Sequence, residues 1–516
     1  MNQLKFHASS GPLPLLFTLS IPPLIYLLYR FIIFPLLRSD LRSIPGPAVA
    51  KLTDLYRLLL VRSDSAHEHH LRLHKRYGPF VRLGPNDVSI AYPSVLPILY
   101  NARTRYPKSD FYPVTGNVSN GKIVPTIFST QDEALHEVMR RPIAQVYAMT
   151  NLKSFEPLVE STEALFFQKL GRLADEGITF DLGTWLHWFA TDVIMEITFG
   201  KRFGFLEMEE DVDGIIQTVE DRFFYISTIG QMPWLDKLFH KNPVIGFISR
   251  LFWKPRMSSI LRFSLDQIQS RKKELQDHPE KRDQRRDFLT RFLNIQANSP
   301  NIPDLWVIGW CQQNVQAGSD STAITLTAVL YYLLKNPDSM ELLLSELENA
   351  NLPSPVPWDI AHKLPYLDSC IKEALRLTPA LGVPLERVAP PEGIELGGRY
   401  FKGGTVLGVS AWVVHQDKGV YGTDAALWRP GRWMEASDEK KKEMERTLFA
   451  FGGGSRVCIG KNISYLEMYK VIPELLTRFK FELKSPEKEW SLKNRFFVYT
   501  KGVEVTIQRR GTPGKE

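Results

Sequence analysis

The chain has 516 residues, 44% of them hydrophobic and 11% aromatic, which is ample for a large buried core. Three cysteines (Cys311, Cys370, Cys458) cannot build a disulfide framework, and 64 Lys+Arg against 57 Asp+Glu leave a formal charge of +7. That balance suits an anionic surface or an acidic partner, while the absence of zinc-finger spacing, RNP motif or aromatic–basic stripe argues against nucleic acid.

Residues 1–12 form a short flank, and from Leu13 to Leu37 the chain is apolar except for Thr18, Ser20 and Arg30. That length predicts a transmembrane anchor over 13–37, uncleaved because no small-residue cleavage site follows. Arg38 and Arg42 on its C-terminal flank point to a cytosolic body, although Lys5 blurs the asymmetry. Residues 38–50, with Pro45-Gly46-Pro47, read as a proline-rich hinge. No long linker and no internal repeat follows, so residues 51–516 are expected to form one unit.

Along that unit, His67, His69 and His70 lie close together in charged company and read as a solvated helix face, not a metal site. Residues 77–100 alternate as a hairpin that leads into a short helix near Ser94. Apolar spacing of three and four predicts helices over most of 130–350, with breaks at Pro142, Pro157, Pro233 and Pro243. The charged run 271–287 reads as a solvated helix end or loop. Short strands with glycine turns are expected at 390–416, and strand character returns at 495–508.

Three constellations carry chemistry. A long helix from Asp304 to about Asn336 holds Ala317-Gly318-Ser319-Asp320-Ser321-Thr322, where Gly318 and the hydroxyls that follow are expected to loosen the backbone ladder and open a groove. Glu373 and Arg376, three residues apart, share a helix face, and Trp428-Arg429-Pro430-Gly431-Arg432-Trp433 follows. Last comes Phe451-Gly452-Gly453-Gly454-Ser455-Arg456-Val457-Cys458-Ile459-Gly460. It puts a cysteine at the mouth of a helix marked by Ile459, Ile463 and Leu466, where unpaired N–H groups and the helix dipole stabilise a thiolate. The loop glycines admit a flat macrocycle near the main chain, Gly460 lacks the side chain that would strike it, and Arg456 is placed for a carboxylate.

This decapeptide resembles the signature of the haem-thiolate cytochrome P-450 family, microsomal type, and the motif texture looks most like filamentous-fungal members of secondary metabolism. The resemblance implies a mainly α (α+β) fold, helix-dominated with small β-sheets, and a haem-thiolate catalytic domain over 51–516. It implies haem b with Cys458 as the axial thiolate, and Phe451, Arg456 and Gly460 against the cofactor. His136-x-x-x-Arg140 looks like the family's W-x-x-x-R helix with histidine in the aromatic position, and Arg387 matches an arginine aimed at a propionate. Glu373, Arg376 and Arg432 correspond to a structural Glu-Arg-Arg triad, with Gly431 where a Glu is common. Asp320 and Ser321 occupy the acid and alcohol positions of the oxygen-activation segment, Ser321 replacing the usual threonine and Thr322 sharing the role.

The activity implied is NADPH- and O2-dependent monooxygenation of a lipophilic terpenoid, polyketide or alkaloid intermediate. No flavin or nicotinamide fingerprint occurs, so electrons are expected from NADPH-cytochrome P-450 reductase, with cytochrome b5 as a further donor and Lys440, Lys441 and Lys442 as one docking patch. The implied location is the endoplasmic reticulum membrane, with the catalytic domain in the cytosol. A haem-thiolate isomerase or dehydratase, and a non-catalytic haem sensor, remain as alternatives. Asn117 and Asn462 match glycosylation sequons that a cytosolic body never presents.

Overall fold

The apolar residues of Asp304–Lys335 recur on every side of the helix, which therefore runs through the interior: Val307, Trp310, Val315, Leu326, Val329 and Leu330 are all buried. Around it pack the helices that position the site. In chain order these are α1 (Leu55–Arg62), α2 (Ala66–Tyr77), α3 (Glu133–Ala144), α4 (Glu156–Glu176), α5 (Leu182–Phe199), α6 (Ile215–Ile229), the central α7 (Asp304–Lys335), α8 (Pro365–Leu377) and α9 (Lys461–Arg478). In this computed structural model the described residues are 38–119, 122–242, 244–245 and 257–511. The expected flank and anchor over 1–37 fall outside them. Among the described residues no helix is long and apolar enough to cross a membrane.

The β elements are small, as the sequence predicts. β1 (Phe80–Arg82), β2 (Asp87–Ile90), β3 (Leu385–Val388) and β4 (Val406–Val409) form a sheet in the order β1-β2-β4-β3, with β2 and β4 parallel and the outer pairs antiparallel. Arg57 of α1 pairs with Asp87 of β2 and Glu386 of β3, binding the first helix to this sheet. The proline-rich segment also packs here: Arg82 N–H donates to the Pro45 carbonyl at 2.8 Å, and a Cβ on Gly46 would strike the backbone of Arg82. Strands β5 (Ser491–Arg495) and β6 (Phe497–Lys501) pair around Phe496, whose φ of +84° is disfavoured for a bulky side chain. Strands 479–483, 504–509 and 180–181 make a third sheet.

Some local readings change. Pro142 lies inside α3, Pro157 sits in the first turn of α4, and Pro233 opens the short helix Pro233–Leu238, so two of these prolines start helices where a first-turn N–H is unpaired anyway. Pro243 is outside the described residues. The charged run is not wholly solvated: Arg271 and Asp287 are both buried, 2.6 Å apart, and Arg271 also donates to the Phe199 carbonyl at 2.9 Å. Of the three histidines expected on a solvated face, only His69 keeps partial exposure. His67, His70 and His74 turn inward from α2, with His67 against the Trp412 ring at 4.5 Å. One sequence cannot reveal that α2 is covered on its histidine side.

Burial pushes the His67 and His74 imidazoles down to about 4, and His70 and His415 down to about 3. The unfolded chain therefore binds protons near the ordinary value of about 6.5, before the folded one does. The stability these groups contribute is complete above that value and is lost as pH falls toward 4 and 3. At about 1.4 kcal/mol per pKa unit, each is worth roughly 3–5 kcal/mol. Glu163, raised to about 8 by burial, and Glu467, Glu386 and Asp192, also raised by burial, work in the opposite direction and offset part of this. Urea-unfolding midpoints should fall steeply between pH 6.5 and 4. His67→Phe, which removes two unpartnered buried ring nitrogens, should flatten that fall; an unchanged slope would show the histidines do not set it.

Candidate active site

Cys458 ends a loop that the backbone closes on itself, since its N–H donates to the Phe451 carbonyl at 2.9 Å and Arg140 of α3 donates to the Val457 carbonyl at 2.8 Å. Gly452 and Gly454 take φ of +68° and +65°, and a Cβ on Gly454 would collide with the Tyr100 carbonyl. Gly460 is less constrained: its φ is −82° and an added Cβ would meet the Cys458 Sγ at an ordinary 3.9 Å. The Cys458 side chain is exposed. Although its surface is open, the protein around the sulfur desolvates it and pushes its thiol up, while the N–H groups of Gly460 and Lys461 and the Arg140 and Lys461 cations pull toward thiolate. Phe451 lies tilted against Tyr465 at 5.4 Å and is only partly buried.

Helices α7 and α9 meet where Thr322 Oγ1 and Ser464 Oγ lie 3.1 Å apart. Thr322 is buried in that contact and turns away from Ser321. On another face of α7, Ala317 is exposed and Ser321 partly exposed, although Ser319, Asp320 and Thr322 are buried. The Ser321 hydroxyl donates to the Ala317 carbonyl at 2.6 Å. Gly318 does not open the helix, which is continuous; it allows close packing on α5, since a Cβ there would stand 2.9 Å from the Ile194 side chain. Asp320 and Ser321 are neighbours in sequence but not partners in space. His187 of α5 donates to Asp320 Oδ1 at 2.6 Å and Tyr499 of β6 donates to Oδ2 at 2.7 Å, so both carboxylate oxygens are engaged elsewhere.

Cations converge beside the cysteine loop. Arg387 lies over the Tyr100 ring at 5.0 Å, and Arg456 donates to Glu133 Oε1 at 2.6 and 2.9 Å. Buried His136 has an unpartnered Nε2, and burial together with Arg456, Arg140 and Lys108 pushes it down to about 3. Lys108, which the sequence reading missed, is buried with its ammonium 4.2 Å above the Tyr112 ring and 4.4 Å above that of Phe128. A group that carries two carboxylates and a flat apolar body fits this set: cations and an unpartnered buried ring nitrogen at one edge, exposed Cys458 and Ala317 at the other surfaces.

The Glu-Arg-Arg set assembles as expected. Glu373 is fully buried and accepts from Arg376 Nε and Nη2 at 2.9 and 2.7 Å, from Arg432 Nε at 2.9 Å, from Trp433 Nε1 at 2.9 Å and from the Arg429 N–H at 3.0 Å. His415 extends it, donating from Nδ1 to the Arg376 carbonyl at 2.8 Å and accepting the Phe449 N–H at 2.7 Å. The triad thereby reaches the start of the cysteine loop. Pairing of Glu373 with Arg376 was legible from spacing; the contacts of His187, Tyr499, His415 and Lys108 were not, because their partners lie far along the chain.

The family profile described as cytochrome P-450 matches residues 45–507. Among curated proteins, the cytochrome P-450 monooxygenase cicH of Emericella nidulans is 42% identical over 479 residues, covering 92% of this chain and 95% of its own length. A cytochrome P-450 monooxygenase of Aspergillus flavus is 40% identical over 486 residues, covering 92% and 94%. The cytochrome P-450 monooxygenase mpaDE' of Penicillium brevicompactum is 39% identical over 511 residues, which are 96% of this chain but 58% of the longer relative. A helical body with small sheets, a cysteine-bearing loop closed by glycines and a match over nearly the whole length agree, and the chain belongs to the cytochrome P-450 family as a haem-thiolate monooxygenase.

Proposed function

We propose that this protein oxidises a lipophilic small molecule, a terpenoid, polyketide or alkaloid intermediate of secondary metabolism, with electrons from NADPH delivered by a partner reductase. One oxygen atom of O2 enters a C–H or C=C bond and the other leaves as water, consuming two electrons and two protons. The observation that carries this reading is Cys458, exposed at the mouth of α9 beside converging cations. Bound haem, held by the Cys458 thiolate, supplies the O2 activation. The chain's own residues do the rest. Arg140 and the Gly460 and Lys461 N–H groups favour negative sulfur, while Arg387, His136 and Arg456, which Glu133 already pairs, would hold the carboxylates of the cofactor. The Ser321 hydroxyl, on the exposed face of α7, holds the proton at Oγ for delivery. Asp320, clamped between His187 and Tyr499, orders α5, α7 and β6 around that hydroxyl.

The substrate walls are apolar and aromatic. Phe496 stacks between Phe223 at 5.0 Å and Phe111 at 6.2 Å, nearly parallel to both, and Phe128 meets it edge-on. Residence at the endoplasmic reticulum, with a cytosolic body, is supported by exposed apolar side chains in the first described segment, Val49, Leu52, Leu55 and Leu59, and by Leu238 and Phe239 at the end of the short helix beside α6. Lys440, Lys441 and Lys442, on the helix Asp438–Thr447 ahead of the cysteine loop, offer positive charge to an acidic flavoprotein, although Lys440 is already held by Glu443 and the Gly419 carbonyl.

The deciding experiment feeds labelled O2 and NADPH to microsomes carrying the protein and a reductase, with a panel of such intermediates. One labelled oxygen per product and matched NADPH use is expected. Product without label or NADPH use would identify an isomerase or dehydratase, and substrate binding without oxygen uptake a sensor. Ser321→Ala should raise the peroxide released per NADPH by about tenfold, since a positioned proton donor is worth that much or more. Unchanged coupling would remove Ser321 from proton delivery.

A further inference from the structure

We propose that Lys108 binds a propionate of the haem together with Arg387, and that the same ammonium destabilises the chain when no cofactor neutralises it. The inference rests on the haem reading above and adds a residue that neither motif nor family match assigns.

The first support is backbone placement. Lys108 and Arg387 are partners in an antiparallel bridge next to β3, secured by the Val388 N–H donating to the Pro107 carbonyl at 2.8 Å. Two cations directly across a bridge repel, and such a pair is destabilising unless something negative lies between them. Burial makes the repulsion costly: Lys108 and Arg387 are each only 4% exposed.

The second support is the lack of protein counter-charge. The Lys108 ammonium has three donors, and its one hydrogen-bond acceptor among the described residues is the Phe128 carbonyl at 2.6 Å. The acids beside it are engaged by other groups, Glu386 by Arg57 and Ser109 and Glu133 through Oε1 by Arg456, although the buried Glu133 Oε2 has no hydrogen-bond partner. Burial, followed by Arg387 and Arg456, drives the Lys108 ammonium well below the usual lysine range, and Glu133 offsets this only in part. The Tyr112 and Phe128 rings, tilted 59° to each other with centroids 5.3 Å apart, flank the ammonium on adjoining sides and fix where it points. A preorganised, under-neutralised cluster of this kind is built for a dianionic edge.

The test is Lys108→Met in the full chain, read in two ways. Unfolding by urea is followed on cofactor-free protein, and affinity is titrated with haem and with haem dimethyl ester, whose carboxylates are blocked. Without cofactor the variant should unfold at a higher urea concentration than wild type, because a buried repulsive charge is gone. Its affinity for haem should fall about 10- to 100-fold, the worth of one hydrogen bond to a charged group, with ester affinity unchanged. Lys108→Arg should retain haem affinity. Equal losses for haem and ester, or a cofactor-free variant less stable than wild type, would overturn the assignment. Should the wild-type chain itself take up neither ligand, the haem reading fails first; haem uptake unaffected by Lys108→Met removes Lys108 alone.

Discussion

Cys458→Ala should yield a folded protein that no longer shows the red-shifted Soret band of the reduced carbonyl complex and whose product formation drops to background. Nothing in the loop depends on the sulfur for its shape. The Cys458 N–H still reaches the Phe451 carbonyl, and Arg140 still reaches the Val457 carbonyl. An exposed side chain cut back to methyl changes fold stability by about 0.5 kcal/mol or less. What disappears is the sulfur ligand, whose thiolate form the helix-mouth N–H groups and Arg140 favour against the burial that pushes the thiol up. Reduced-minus-oxidised carbonyl difference spectra alongside circular dichroism separate the two effects. A normal spectrum in the variant would place the iron on another residue.

Glu373→Ala should fail differently, by loss of the fold. One carboxylate takes five N–H donors, from two arginines, a tryptophan and a main-chain amide, with no solvent to replace it. Removing it strands the buried Arg376 and Arg432 guanidinium groups, at a cost of about 3–5 kcal/mol. Against a total stability of about 5–15 kcal/mol, that is enough to deplete folded protein in cells. The damage should spread to the cysteine loop, because Arg376 holds His415 and His415 holds the Phe449 N–H. Low yield, a depressed melting temperature and weak haem retention are expected together. Full yield and an unchanged melting temperature would show that the network is not a keystone of the fold.

The sequence alone determined much, and the residues show why. Cys458 and its glycines were legible because a thiolate at a helix mouth needs its loop within a few residues of itself. The pairing of Glu373 and Arg376 was legible because one helical turn brings them together. The long apolar periodicity of Asp304–Lys335 and the alternation before β2 also lie within single elements. Tertiary structure decided the rest. Asp320 and Ser321 adjoin in the chain, yet successive side chains on a helix point about 100° apart, so one faces His187 and Tyr499 while the other faces the exposed side of α7. Whether His67 is wet or buried depends on Trp412, and whether Lys108 is a surface lysine or a caged cation depends on Arg387, Phe128 and Tyr112. Local sequence fixes chemistry that is confined to one loop or one turn. Burial and long-range charge are set by which elements meet, and these determine the ionisation of the histidines and the cluster beside the cysteine.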